Sequence, residues 1–503
     1  MPDESRSPAD QCARDKASRN LGKTLFVEAG AGTGKTTVLV ERVLSLLRSG
    51  AKPESLAIIT FTRAAASELQ ERIRGRVEQA LAEGKLEDAE RVYLLRALDD
   101  LDFAAIQTID SFALSLLRER PLEAGLPPVI EPLDEVDSVI EFDERWAEWL
   151  DGELGGDEDT DLAGWLERAM RLGMSNPLST MKDIARRFHE NHDVIRGLDL
   201  REPYRSDVDV VGEMLLGGGE VRRLAAYCKD PADNLYQHIQ GVLPFLDELA
   251  DIPDATERHI RIVEGPTLKC GKGKKENWPD PEGGKGATCI NVVRDKLSPL
   301  QELKNTHAEA MRAEALGELA NAVAGFVLEY EEERRAEGRA EFHDMLVWAA
   351  KMLENKHDAL RHFQQRYDHI LIDEFQDTDP LQVKLAFLLT CRSGAQQPDP
   401  GALFVVGDPK QSIYGWRRAD IQVMNEARKQ MTGGGDPVRL TQNFRSHRRL
   451  IDWVNGVFQE WIGTEESEGQ AEYVCLETDL EPPAPDWGAF HIGGPVEEAN
   501  AQG

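Results

Sequence analysis

The stretch TLFVEAGAGTGKTT at residues 24–37 constrains this chain more than any other. Leu25, Phe26 and Val27 are a short apolar run of strand type. Residues 29–34 are small and turn-forming. Beyond Thr37, Val40, Val43, Leu44 and Leu47 recur at helical spacing. Strand, Gly-rich loop and helix in that order are the context for a phosphate-binding loop built from Ala29, Gly30, Ala31, Gly32, Thr33, Gly34, Lys35, Thr36 and Thr37. Glycines let consecutive backbone N–H groups wrap a phosphate, and the helix N-terminus adds its dipole. Lys35 is then expected at the β- and γ-phosphates of a nucleotide, with the Thr36 hydroxyl on Mg²⁺. The general pattern opens on Gly where this chain has Ala29, and a Gly-rich turn before an ordinary helix is the plainer alternative.

The 503 residues leave room for about two to four domains. With 41% hydrophobic residues, wholesale disorder is not expected. No apolar run is long enough for a transmembrane helix, and residues 1–20 lack the apolar core of a signal peptide. Cys12, Cys228, Cys270, Cys289, Cys391 and Cys475 are scattered, which fits a reducing, cytoplasmic setting without disulfides. The net charge of −32 on its own argues against a nucleic-acid binder. A local basic groove can nevertheless coexist with an acidic exterior, because net charge speaks to solubility rather than to sites.

After the loop helix, LAIITFT at 56–62 reads as a buried strand leading into a helix over 63–77. A charged helical stretch follows over 78–102. FAAIQTIDSF at 103–112 reads as a further strand with a polar tip, and helix resumes over 113–120. From 121 to 340 the pattern is mainly helical: Trp146, Trp149, Trp165, Leu166, Met170 and Leu172 suggest amphipathic helices in an acidic setting. Residues 265–288 are Gly- and Pro-containing and carry five lysines; a flexible solvated loop is the favoured reading over a nucleic-acid contact. Strand patterns return at 369–375, 402–408 and 438–440, with a helix over 450–458 and a Glu-, Pro- and Gly-containing tail from 463.

A nucleotide-hydrolysing site also needs a carboxylate for the metal and a group to orient the attacking water. ILIDEFQD at 370–377 supplies both, with Asp373 for Mg²⁺ and Glu374 for the water. A strand running into a polar turn is the alternative. The long separation of Lys35 from Asp373 requires a domain inserted between two halves of one core. In 405–420, Gln411 is a neutral group able to sense a γ-phosphate. Tyr414 and Trp416 beside Arg417 and Arg418 suit stacking on single-stranded bases, although Trp416 alone reads as a packing residue. LTQNFRS at 440–446 offers Phe444 to stack on a base and Arg445 as an arginine finger.

Together these segments resemble the ordered motif set of superfamily 1 DNA helicases of the UvrD/Rep type, most of all the RecB/AddA branch. The resemblance makes Gln11 the adenine-reading glutamine and Ala29 a usual opening residue. It places TFTRAAASELQERI at 60–73, with Phe61, Thr62 and Arg63, beside the DNA strand. TIDSF at 108–112 resembles the family's TIHSF, with Asp110 in the place of the His, and puts Thr108 and Phe112 on the DNA path. LIDEFQDTD, GDPKQSIYGWRRAD and LTQNFRS match the remaining motifs in order, and EFHDML at 341–346 resembles the family's approach to the DEFQD stretch.

The resemblance implies an α/β fold: a RecA-like P-loop NTPase domain with a parallel sheet, interrupted by a mainly α-helical inserted domain. Residues 1–120 and 341–435 would form the ATP-binding domain, 121–340 the helical insertion, and 436–503 an incomplete start of a second RecA-like domain. It further implies ATP and Mg²⁺ as cofactors, single-stranded or partly duplex DNA as substrate, 3′-to-5′ tracking, and an AddB/RecC-like protein partner or a separate C-terminal half. Two further family motifs are not found after 458, so the chain reads as the N-terminal portion of a larger protein. Catalysis would rest on Glu374, Gln411 and Arg445. The rival expectations are a nucleotide- and DNA-binding module without turnover and, last, a small-molecule kinase.

Overall fold

The apolar runs around the Gly-rich loop become strands of one parallel sheet in the computed structural model, which describes residues 8–155, 162–198, 209–279, 289–392, 395–412, 421–463 and 471–481. Its strands are β1 (Leu25–Ala29), β2 (Leu56–Thr60), β3 (Ala105–Thr108), β4 (Glu131–Pro132), β5 (Arg339–Ala340), β6 (His369–Ile372), β7 (Leu403–Gly407) and β8 (Val438–Leu440). Six of them form the sheet in the order β3-β2-β6-β7-β1-β8, while β4 and β5 make a separate parallel pair. Every residue of β1, β2 and β7 is buried, as expected of parallel strands covered on both faces.

Alternate side chains feed two separate cores. Phe26, Ile59, Ile370, Ile372 and Val405 point into one. Val27, Ile58, Leu371, Phe404 and Val406 point into the other. The second core is roofed by α2 (Lys35–Arg48), α3 (Arg63–Glu83) and α4 (Asp88–Asp100), with α1 (Gln11–Arg19) packed against α2. The first is roofed by α5 (Ile109–Glu119) and the helices Phe342–Asn355 and Pro380–Thr390.

The chain divides into two compact units, residues 1–132 with 336–503, and residues 133–335. Residues 121–132, expected in the insertion, pack with the sheet instead: Ala124, Leu126 and Ile130 enter the same core as α5. β8, within the residues expected to start a second RecA-like domain, hydrogen-bonds in parallel to β1, with Val27 opposite Val438. The expected strand over 103–112 ends at Thr108, whose side-chain oxygen accepts the Ser111 N–H and starts α5.

The unit of 133–335 is mainly helical. The long helix Cys289–Glu337 supplies Phe326 and Tyr330 to a core with Phe142 and Trp146. Leu166 and Leu172 are buried and Met170 is exposed. The lysine-rich segment is not a free loop over 266–279. Asp233 accepts N–H bonds from the Lys274 backbone at 2.8 Å, Asn277 Nδ2 at 3.0 Å and Trp278 Nε1 at 3.0 Å, and Trp278 is fully buried. Burial by itself would raise the Asp233 pKa, but these donors outweigh it and hold the carboxyl down at about 2. Lys269, Lys272, Lys274 and Lys275 remain exposed on this anchored backbone. All six cysteines are free thiols, and no helix among the described residues is long and apolar enough to cross a membrane.

Candidate functional site

Five loops leave the carboxyl ends of β1, β2, β6, β7 and β8 on one edge of the sheet, where open α/β folds place their ligands. The candidate phosphate loop follows β1. Thr33 is buried and its hydroxyl donates to the Gly30 carbonyl at 2.8 Å, tightening the turn. Gly32 (φ 72°) and Gly34 (φ 82°) adopt left-handed backbone, and Gly34 is the N-cap of α2. At Gly32 a Cβ would also lie 2.6 Å from Asn443 Nδ2, so only glycine fits there. The segment after β8 lies against this loop: Asn443 Nδ2 donates to the Ala31 carbonyl at 2.6 Å, and the Phe444 N–H to the Gly32 carbonyl at 2.9 Å. Ala29 and Gly30 are buried, while Ala31 and Thr37 are exposed at the loop's rim.

Lys35 and Glu374, remote in sequence, meet in an ion pair of 2.5 Å between Nζ and Oε2. Glu374 sits in left-handed backbone (φ 51°), alone among the described non-glycine residues. Such strain costs roughly 1–3 kcal/mol and persists only where its surroundings enforce it. Here Gln376 does so. Its Nε2 donates to Glu374 Oε2 at 2.8 Å, its Oε1 accepts the Asp408 N–H at 2.9 Å, and its carbonyl accepts the Ser412 hydroxyl at 3.0 Å. The ends of β6 and β7 are thereby wired together. Gln411 is held by Asp408, with Nε2 to Oδ2 at 2.9 Å, and Lys410 pairs with the same carboxylate at 2.9 Å.

Glu374, Gln376, Lys410 and Gln411 line a cleft of about 580 Å³ that also takes in Thr36, Phe61, Thr62, Asp373 and Asp377. Burial first, and then the charge of Glu374, pushes the Asp373 carboxyl up to about 6. The same two causes raise Asp377 to about 6. Asp377 Oδ1 is buried without a hydrogen-bond partner among the described residues. A hydroxyl and two carboxylates, one with an unused buried oxygen, suit a hard cation such as Mg²⁺.

A second cleft, of about 1090 Å³, opens on the other side of α2 and is lined by Gln11, Arg14, Gly34, Thr37 and Phe444 among others. Gln11 donates to Asp15 at 3.1 Å. Arg445 is exposed, with its backbone N–H held by Asn443 Oδ1 at 2.8 Å.

The residues expected along DNA divide. Phe61 is half-buried and Thr62 is exposed, and both line the smaller cleft; Thr62 also caps α3 by accepting the Ala65 N–H at 3.1 Å. Arg63 is exposed at the start of α3. Thr108 is buried and occupied with its cap. Phe112 is 0% exposed and packs edge-on against Tyr367 at 5.2 Å, inside the core. Asp110 lies in the first turn of α5, where a carboxylate complements the helix dipole. Tyr414, Trp416 and Arg417 lie outside the described residues.

Gln376, Asp377, Asp10 and Arg14 were not among the expected site residues. The first two sit inside the DEFQD stretch and could have been found there. Asp10 and Arg14 carry only an i,i+4 acid–base spacing as a signal.

Residues 11–432 match the family described as UvrD/REP helicase N-terminal domain. A protein of Pediococcus pentosaceus, named as an ATP-dependent helicase/nuclease subunit, is similar to this chain, at 27% identity over 512 residues that cover 92% of this chain and 39% of that protein. Proteins of the same name from Levilactobacillus brevis and Moorella thermoacetica are 27% and 30% identical, covering 91% and 90% of this chain and 39% and 34% of their own lengths. The chain thus spans well under half the length of these relatives. With the family match running through most of its length and across the loops that build the smaller cleft, the chain belongs to the UvrD/REP helicase N-terminal domain family.

Proposed function

We propose that this chain carries the ATP-binding core of an ATP-dependent DNA helicase or translocase of the UvrD/RecB type, coupling ATP hydrolysis to movement along single-stranded DNA in repair or recombination. The observation that carries the proposal is the convergence of Glu374, Asp373 and Gln411 on one cleft beside the phosphate loop, with Lys35 ion-paired to Glu374. Relatives named as subunits of a larger enzyme also motivate a protein partner of the AddB/RecC kind.

The loop N–H groups and Lys35 bind the phosphates of ATP. To do so Lys35 leaves Glu374, and the freed carboxylate orients a water for in-line attack on the γ-phosphorus. Thr36 and Asp373, with Asp377 close by, would hold Mg²⁺, which when bound draws charge from the phosphate oxygens. Gln411 senses the γ-phosphate from the end of β7. Arg445, on the segment bonded to the phosphate loop, supplies positive charge where negative charge builds on the phosphates as the bond breaks. DNA passes Phe61, Thr62 and Arg63, with Tyr414, Trp416 and Arg417 as further contacts.

The test is ATP turnover by this chain with and without single-stranded DNA, with Lys35→Ala as the blank. DNA-stimulated turnover that the blank lacks is expected. Glu374→Gln is expected to lose about 10²-fold or more of that turnover while still binding ATP. Turnover unchanged in Glu374→Gln removes the assigned mechanism, and ATP bound without turnover identifies a binding module instead.

A further inference from the structure

Helix α1 carries a buried ion pair that the hydrolysis scheme does not use. Asp10 and Arg14 are joined by two hydrogen bonds, Nε to Oδ1 at 2.7 Å and Nη2 to Oδ2 at 2.8 Å, with side chains only 5% and 11% exposed. Neither residue stops at the other. Asp10 Oδ2 also accepts the backbone N–H groups of Thr441 at 2.9 Å and Gln442 at 3.0 Å. Arg14 Nη1 donates to the Thr33 carbonyl at 2.8 Å and Nη2 to the Gln442 carbonyl at 3.2 Å. One ion pair therefore ties together α1, the phosphate loop and the segment after β8. The face of the guanidinium lies 4.8 Å from the centre of the Phe444 ring, and that ring is 50% exposed on the larger cleft with Gln11.

We propose that Asp10 and Arg14 are a positioning pair that holds Phe444 as the shelf for the nucleotide's base, so that recognition of ATP over bare polyphosphate runs through Arg14. This rests on the nucleotide-site reading above. Arg14 does not serve as a phosphate ligand: its charge is matched by Asp10, and its contact with the phosphate loop goes to the Thr33 carbonyl oxygen. What stays free is the planar face, and that face meets an aromatic ring. A buried ion pair adds little to stability, but it fixes geometry well when its donors are bonded at several points, as Arg14 is to Asp10, Thr33 and Gln442. Without Arg14, the Phe444 ring loses its backing and the Thr441–Gln442 backbone loses one of its ties to α1.

The test uses the whole chain and measures displacement of mant-ATP by ATP and by inorganic tripolyphosphate. Arg14→Ala and Phe444→Ala are each expected to weaken ATP about tenfold while tripolyphosphate changes less than twofold. The double variant is expected to lose no more than either single one, because both act through one ring. Arg14→Lys, which keeps the charge and loses the fork, should behave as Arg14→Ala does, and it serves if Arg14→Ala does not fold. Equal losses for ATP and tripolyphosphate, additive losses, or unchanged ATP binding overturn the positioning role. Lys35→Ala separates the two readings: if it leaves both ligands unaffected, the phosphate-loop assignment fails, whatever Arg14 does.

Discussion

At Asp373 and Asp377 the site holds charge at the expense of stability. Burial and the neighbouring Glu374 raise both carboxyls to about 6, above the ordinary carboxylate range. Folding therefore favours the protonated forms. The cost of the charged forms is fully present above pH 6 and disappears as pH falls toward 4. Asp373→Asn removes one such charge, so it is expected to stabilise the chain by on the order of 1–2 kcal/mol at pH 8 and by about a third of that at pH 4.5. Urea titrations at the two pH values check this, and equal effects at both would contradict the assigned cause. The same variant should lose Mg²⁺-dependent ATP affinity, the stability–function conflict expected of a metal-holding carboxylate. Lys35, Thr36, Asp373, Glu374 and Gln411 were legible in the sequence because their chemistry is written in short local motifs. Arg14 was not: its partner Asp10 receives an N–H from a residue 431 positions later, and no local pattern announces that.

Among the elements, α5 shows how a strand reading fails. AIQT is a strand, but Ile109, Phe112, Ala113, Leu116 and Leu117 recur at helical spacing, and all are buried. The Thr108 cap decides the boundary in favour of helix. Phe112→Ala is therefore expected to cost about 3–5 kcal/mol in denaturant unfolding, the value of a lost core aromatic. DNA affinity of the folded fraction should stay unchanged; a selective DNA defect at full stability would return Phe112 to the DNA path. The lysine-rich segment fails in the opposite sense, since glycines and lysines concealed a buried Trp278 and an Asp233 anchor. Asp233 has its pKa lowered to about 2, so its stabilisation is present above pH 4 and lost as pH falls through 2. Asp233→Asn is expected to remove about 2 kcal/mol from the helical unit at pH 7. Trypsin should then cut after Lys269, Lys272, Lys274 and Lys275 faster than in the parent; an unchanged cleavage rate would mean the segment is held by something else.

For the whole molecule, the decisive feature is where the helical unit is spliced in. The chain leaves the sheet unit just after β4 and returns just before β5, and these two strands pair directly, with Glu131 opposite Arg339 and Pro132 opposite Ala340. The parallel sheet, both of its cores and all five site loops lie in the flanking residues. The requirement for an insertion was legible from the distance between Lys35 and Asp373. Its edges were not, because 121–132 carries no strand or helix pattern strong enough to show that it packs beneath α5. β4 and β5 run parallel, so a linker must return from the end of one to the start of the other; a Gly/Ser linker of about a dozen residues reaches roughly 19 Å and can replace residues 133–335 without straining the sheet. The shortened chain is expected to fold cooperatively and to bind ATP within about threefold of the parent, with binding abolished by Lys35→Ala. Isothermal titration of ATP and a thermal melt decide it. A chain that melts without a transition would show that the sheet needs the helical unit to fold. A chain that folds but no longer binds ATP would show that the nucleotide site draws on residues beyond the five loops.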